Sequence, residues 1–235
     1  MTAGISPRPA GAPLDPARCA VALDTDDLDR ALELARVLHP WFGIAKVGLE
    51  LFGAVGPRAV QSLRDEGFEV FVDLKLHDIP NTVGRAARAL GSLGARYVTL
   101  HAAGGGDMLR AGAEGLAEAA RAAGSEPPVA LAITVLTSDS VAAPELLAQR
   151  ARAAAAAGCG GVVCATADLP AIRAAAPDLL RVVPGIRSRG ASADDQARVA
   201  TPAGAVAAGA DILVIGRPVS AVGDPAAAAA ALLAG

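Results

Sequence analysis

Eight short β-branched runs alternate with longer alanine-rich, charge-studded stretches, and this alternation predicts an α/β protein, a single (β/α)8 TIM barrel. Two further observations agree. The length of 235 residues suits one domain of this type, which typically takes roughly 250. The hydrophobic fraction of 53% is enough to fill a sizeable core, and much of it is alanine, which suits closely packed helices.

The expected strands are residues 19–24 (CAVALD), 43–48 (GIAKVG), 69–75 (EVFVDLK), 96–101 (RYVTLH), 129–135 (VALAITV), 160–164 (GGVVC), 180–184 (LRVVP) and 211–215 (DILVI). Eight is the number at which such a parallel sheet closes and leaves no edge strand. Between the strands the helical stretches carry their own start and stop signals. Asp26 or Asp27 is placed to cap the first helix, and Gly67, Gly94, Gly124, Gly158 and Gly209 stand where helices should end. Residues 1–17, rich in Pro, Ala and Gly, lack the apolar centre of a signal peptide and read as a disordered tail, leaving 18–235 as the barrel domain.

Composition excludes several classes of partner. A net charge of −3 argues against nucleic-acid binding, which calls for a basic surface. Nowhere do about 18 strongly apolar residues follow one another, so no membrane association is expected. Cys19, Cys159 and Cys164 have no CxxC pairing and no histidine cluster, so they read as buried thiols of a reducing, cytoplasmic protein rather than as a metal or disulfide framework.

Polar residues gather at the carboxyl ends of the expected strands: Asp24, Lys46, Asp73, Lys75, His101, Thr137 and Arg217. That rim is where barrel enzymes build their sites. The densest stretch is EVFVDLKLHDIPNTV, residues 69–83. Side chains alternate along a strand, so Phe71, Asp73 and Lys75 share one face, and Asp78 follows in a loop closed by Pro80. Lys46 ends the neighbouring strand in phase with Ile44 and Gly48, and adjacent strands lie about 4.8 Å apart, so Lys46 can reach Asp73. An alternating Lys–Asp–Lys–Asp array is therefore feasible, each charge flanked by its opposite. The alternative is a purely structural ion pair at the barrel mouth. As chemistry, the array suits decarboxylation: a substrate carboxylate beside a fixed aspartate is repelled, while a lysine stands ready to protonate the carbon that carbon dioxide leaves behind.

The last strand runs into Gly216 and Arg217, where close backbone approach and a planar guanidinium suit a phosphate, and barrels often hold phosphate after strands seven and eight. Strand seven leads into the polar loop of residues 184–202, with Arg187 and Gln196, which reads as a lid or as a solvated connection.

These residues resemble the orotidine 5′-phosphate decarboxylase family. The stretch from Asp73 to Thr82 (DLKLHDIPNT) looks like its signature, supported by Val21–Asp24, Lys46–Gly48, Leu136–Ser138, Pro184–Arg187, Asp195-Gln196, Thr201-Pro202 and Ile215–Pro218. The resemblance implies conversion of orotidine 5′-phosphate to uridine 5′-phosphate (UMP) and carbon dioxide, the last step of UMP biosynthesis, with no metal or other cofactor. It implies that Lys75 protonates C6, Asp73 lies against the reacting carboxylate, Lys46 ties the charges to the ribose, and Asp24 accepts a ribose hydroxyl. Thr137 would contact the pyrimidine, Gln196 would bridge base and phosphate, and Arg187, Arg217 and the Gly216 amide would hold the phosphate. Asp78 and Thr82 would reach the partner's site in a homodimer.

Metal-dependent barrel relatives share the Asp-x-Lys-x-x-Asp spacing but carry an acidic metal ligand where this chain has Lys46. A second alternative is a non-catalytic nucleotide-binding barrel. His77 reads as supporting its loop and His101 as packing or lining the substrate, without an acidic partner for a metal.

Overall fold

The computed structural model describes residues 14–139, 142–188 and 198–234. All eight expected strands form: β1 (Cys19–Ala22), β2 (Ile44–Val47), β3 (Glu69–Leu76), β4 (Tyr97–His101), β5 (Val129–Ile133), β6 (Gly161–Val163), β7 (Leu180–Val183) and β8 (Ile212–Ile215). Each pairs in parallel with its sequence neighbour, and β8 returns to β1, closing the barrel.

Closure buries both faces of every strand, which is why the runs are apolar throughout rather than alternating with polar residues. Alternate positions serve two cores. Ala20, Ile44, Phe71, Tyr97, Leu131, Val182, Ile212 and Val214 fill the barrel interior. Cys19, Val21, Ala45, Val70, Val72, Val98, Ala130 and Leu213 pack outward beneath the helices. Full burial of one Leu or Phe side chain contributes about 1.5–3 kcal/mol, so the two layers are the main source of stability.

Local signals explain the helix boundaries. Asp27 caps the helix Leu28–Leu38, its carboxylate accepting from the Asp29 and Arg30 amides. Proline occupies the first turn of the helices Pro57–Asp65, Pro80–Gly91, Pro144–Ala156, Pro202–Ala208 and Pro225–Leu233, where its missing N–H costs nothing. Gly124 and Gly209 end their helices in the left-handed conformation, as expected. The helices Pro80–Gly91 and Gly105–Ala123 cross closely: a Cβ on Gly115 would stand 2.2 Å from the Gly84 carbonyl oxygen.

Two features depart from the simple expectation. Of the expected tail, residues 1–13 lie outside the described residues, but 14–17 belong to the fold: Leu14 is buried, Asp15 caps the short turn Pro16–Arg18, and the Gly43 amide donates to the Pro16 carbonyl. The β3–β4 ladder also shifts register between Val72 and Leu76, and Lys75 adopts φ +51°. A non-glycine residue there carries strain on the order of 1–3 kcal/mol, which the surrounding contacts must offset.

Candidate active site

The carboxyl ends of the strands surround a cavity of about 580 Å³, a size suited to a nucleotide-scale ligand. Its floor is the top of the barrel core, with Ala22, Phe71, Ile133, Val163 and Val214. The registers Ala22↔Lys46 and Lys46↔Phe71 put Lys46 on the inner face at the level of the cavity floor.

Charges of alternating sign run along one wall. The Lys46 ammonium lies 3.2 Å from Asp24 Oδ1 and 3.7 Å from Asp73 Oδ2, and the same Asp73 oxygen accepts from Lys75 Nζ at 2.9 Å. Side-chain exposure falls to 11% at Lys46 and 13% at Asp73, against 34% at Lys75 and 56% at Asp24. The two inner charges are thus largely removed from water and rely on each other and on their flanking partners. Gly48 makes room for the outer pair: a Cβ there would meet Asp24 Oδ1 at 3.1 Å and Lys46 Nζ at 3.2 Å.

The remaining part of the rim carries groups suited to an anion. Pro184, Gly185 and Arg187 after β7, Gly216 and Arg217 after β8, and Thr137 after β5 line the same cavity. Arg187 is buried, with its Nη1 donating to the Ile186 carbonyl at 3.0 Å and its Nε lacking a hydrogen-bond partner among the described residues. A buried guanidinium with spare donor capacity suits a phosphate or carboxylate ligand. Arg198 ties this side to the Thr137 loop, pairing with Asp168 at 2.5 Å and donating to the Leu136 carbonyl at 3.2 Å.

Placed on this map, Asp24, Lys46, Asp73, Lys75, Thr137, Arg187, Gly216 and Arg217 all line one cavity. Asp78 and Thr82 are exposed and do not line it; the Asp78 carboxylate accepts from the Ile79 amide at 2.6 Å. Within one chain the run of ion pairs extends from Asp24 to Lys75, and Asp78 stands outside it. Gln196 lies outside the described residues.

A model of the "Orotidine 5′-phosphate decarboxylase / HUMPS family" matches residues 18–232. The chain belongs to that family. It is similar to proteins named orotidine 5′-phosphate decarboxylase from Anaeromyxobacter dehalogenans strain 2CP-1, 49% identical over 229 residues covering 93% of this chain and 97% of the relative. The Moorella thermoacetica relative of the same name is 46% identical over 226 residues, covering 91% and 90% of the two chains. A crystal structure of orotidine 5′-phosphate decarboxylase from Lactobacillus acidophilus superposes with a TM-score of 0.76 at 35% identity, covering 91% of this chain and 96% of that one.

His77 and His101 stack with ring centroids 5.2 Å apart, and His101 Nδ1 accepts from the Ala103 amide, so His101 packs beside the cavity rather than lining it. Burial, and then the neighbouring His77, lowers the His101 pKa below its ordinary value. All three cysteines are buried and unbridged; burial pushes the Cys159 thiol up to about 12 and that of Cys164 higher still. Among the described residues no group of three or more His, Cys, Asp or Glu could hold a metal ion, and no helix is long and apolar enough to cross a membrane.

Sequence reasoning missed Thr99, whose hydroxyl donates to Asp73 Oδ1 at 3.0 Å and accepts the Lys75 amide at 2.9 Å. In RYVTLH the threonine looks like an ordinary strand residue, and only a knowledge of β3–β4 register would have brought it to light.

Proposed function

We propose that this protein decarboxylates orotidine 5′-phosphate to UMP and carbon dioxide, using the charge array and no cofactor. The observation that carries this reading is the unbroken run Asp24–Lys46–Asp73–Lys75, which shares one cavity with Arg187 and Arg217. With the phosphate held by Arg187, Arg217 and the Gly216 amide, Thr137 at the pyrimidine, and Asp24 and Lys46 at the ribose, the substrate carboxylate lies against Asp73. Gln196 completes the grip between base and phosphate.

The C6–carboxyl bond breaks with its electron pair remaining on C6, and carbon dioxide departs. The Lys75 ammonium gives its proton to C6, forming UMP, and the neutral lysine regains a proton from water. Loss of negative charge beside Asp73 and growth of a carbanion beside Lys75 both favour the transition state over bound substrate, as rate enhancement demands. Phosphate binding, remote from the reacting carbon, supplies energy for holding that crowded geometry.

The functional unit in this reading is a cytoplasmic homodimer in which Asp78 and Thr82 of each subunit reach the partner's cavity. Their exposed position just beyond β3, outside the cavity of their own chain, supports this assignment. Lys46 argues against the metal-dependent alternative, since an ammonium 3.7 Å from Asp73 occupies the ground a divalent cation would need.

The test is a spectrophotometric assay of orotidine 5′-phosphate decarboxylation after exhaustive treatment with EDTA. Full activity is expected; activity lost on chelation and restored by magnesium would replace this reading with the metal-dependent one, and no decarboxylation with or without metal would remove the reaction altogether.

A further inference from the structure

Thr99 sits in the middle of β4, fully buried and outside the cavity lining. Its neighbours on β3 are where the ladder breaks. The two strands are paired at Val72↔Val98 and again at Leu76↔Leu100, so β3 advances from 72 to 76 while β4 advances only from 98 to 100. The surplus falls on Asp73, Leu74 and Lys75, and Lys75 is the only non-glycine among the described residues with positive φ.

A bulge of this kind re-aims side chains but leaves backbone groups without their ladder partners. Thr99 Oγ1 supplies the missing partner, accepting the Lys75 N–H at 2.9 Å. The single hydroxyl proton is directed to Asp73 Oδ1 at 3.0 Å, and the other Asp73 oxygen holds Lys75 Nζ. One hydroxyl thus fixes the backbone of the lysine and the carboxylate that faces its ammonium.

We propose that Thr99 is a positioning residue for the decarboxylation: it holds Lys75 in its left-handed conformation and Asp73 in its rotamer, and so sets where the proton donor and the repelling carboxylate meet the substrate. This rests on the reaction proposed above. Serine keeps both hydrogen bonds; valine keeps the shape and loses both. No other residue type at this position keeps the shape and lets one atom serve the amide and the carboxylate at once.

The experiment compares Thr99→Val, Thr99→Ala and Thr99→Ser with the unaltered full-length protein in two ways. In steady-state assays, kcat for orotidine 5′-phosphate should fall about 10- to 100-fold in the valine and alanine variants, the scale of a misplacement near 1 Å, with little change in KM or in UMP affinity. Serine should restore most of kcat. Crystal structures of the same variants, free of ligand, should show Lys75 leaving positive φ or its ammonium parting from Asp73 in the valine or alanine form and not in the serine form. Unchanged kcat, equal losses with serine and valine, or an unmoved Lys75 in the valine and alanine structures would overturn the proposal. If the unaltered protein does not decarboxylate the substrate, the reaction assignment fails, and the crystal structures still decide whether Thr99 positions Lys75.

Discussion

Lys46 on β2 and Asp24, two residues beyond the end of β1, face each other, ammonium to carboxylate 3.2 Å apart. The pair extends the array to the side of the cavity away from Lys75, so that Lys46 serves two carboxylates at once. Lys46→Met keeps the bulk and removes the charge, leaving Asp24 and the largely buried Asp73 without their common cation. The expected result is a loss of kcat/KM of about 10²–10³-fold, the scale seen when one preorganised electrostatic group is deleted. Steady-state kinetics checks it, and a loss under tenfold would mean that the pair does not contribute to the reaction.

Arg217→Ala should act at the phosphate end. Hydrogen bonds to charged groups contribute about 1.5–3 kcal/mol, so UMP should bind roughly 10- to 150-fold more weakly while uridine affinity is unchanged. Calorimetric titration with both ligands reads the difference. Equal losses for nucleotide and nucleoside would contradict a phosphate contact.

The exposed Asp78 and the cavity-lining Lys75 make a pair for complementation. Lys75→Ala alone should abolish turnover with UMP binding largely retained, and Asp78→Ala should impair it severely. Mixed after dissociation, the two proteins should regain activity in verified heterodimers, where one site of the two has both residues. No recovery would place the action of Asp78 within its own subunit.

His101 gives the fold a dependence on acid. Its folded pKa is lowered by burial and by His77, so the unfolded chain takes the proton first as pH falls through about 6.5. The stabilising contribution of the neutral ring is complete above that value and is lost toward the lower folded pKa. Melting temperature should therefore fall more steeply between pH 7 and 5 in the unaltered protein than in His101→Gln. Parallel curves would show that His101 does not contribute.

Gly115→Ala tests the helix crossing. The added methyl would meet the Gly84 carbonyl at 2.2 Å, and backbone cannot rotate away as a side chain could. Overpacking of this kind costs about 1–3 kcal/mol or more, which for a chain of this length lowers the melting temperature by about 2–4 °C per kcal/mol. An unchanged melting temperature would mean that the two helices part at little cost.

The barrel was legible because eight apolar runs and their glycine stops are local signals, each readable without its neighbours. Gathering Asp24, Lys46, Asp73 and Lys75 at one rim followed from strand direction alone. What could not be read was register across strands. Regular alternation placed Lys75 on the inner face, and it is there, but by way of a bulge and a left-handed residue that period-two counting does not contain. Thr99 escaped notice for the same reason. Asp78 lies two residues past β3, where a carboxylate can point to either side of its loop, and spacing alone does not say that it turns to the Ile79 amide. Leu14 was lost in a Pro- and Ala-rich context, although one leucine with a surface to cover is enough to anchor a chain end.

The burial of Cys19, Cys159 and Cys164 has a practical consequence for observing this protein at work. Thiolate is the species that reacts with maleimides and iodoacetamides, and at neutral pH Cys159 and Cys164 hold almost none of it. A reporter cysteine introduced at Leu49, 63% exposed on the cavity wall, would then be labelled ahead of the native sulfurs. A fluorophore at that position would follow ligand arrival and departure in a protein whose interior chemistry had been left untouched.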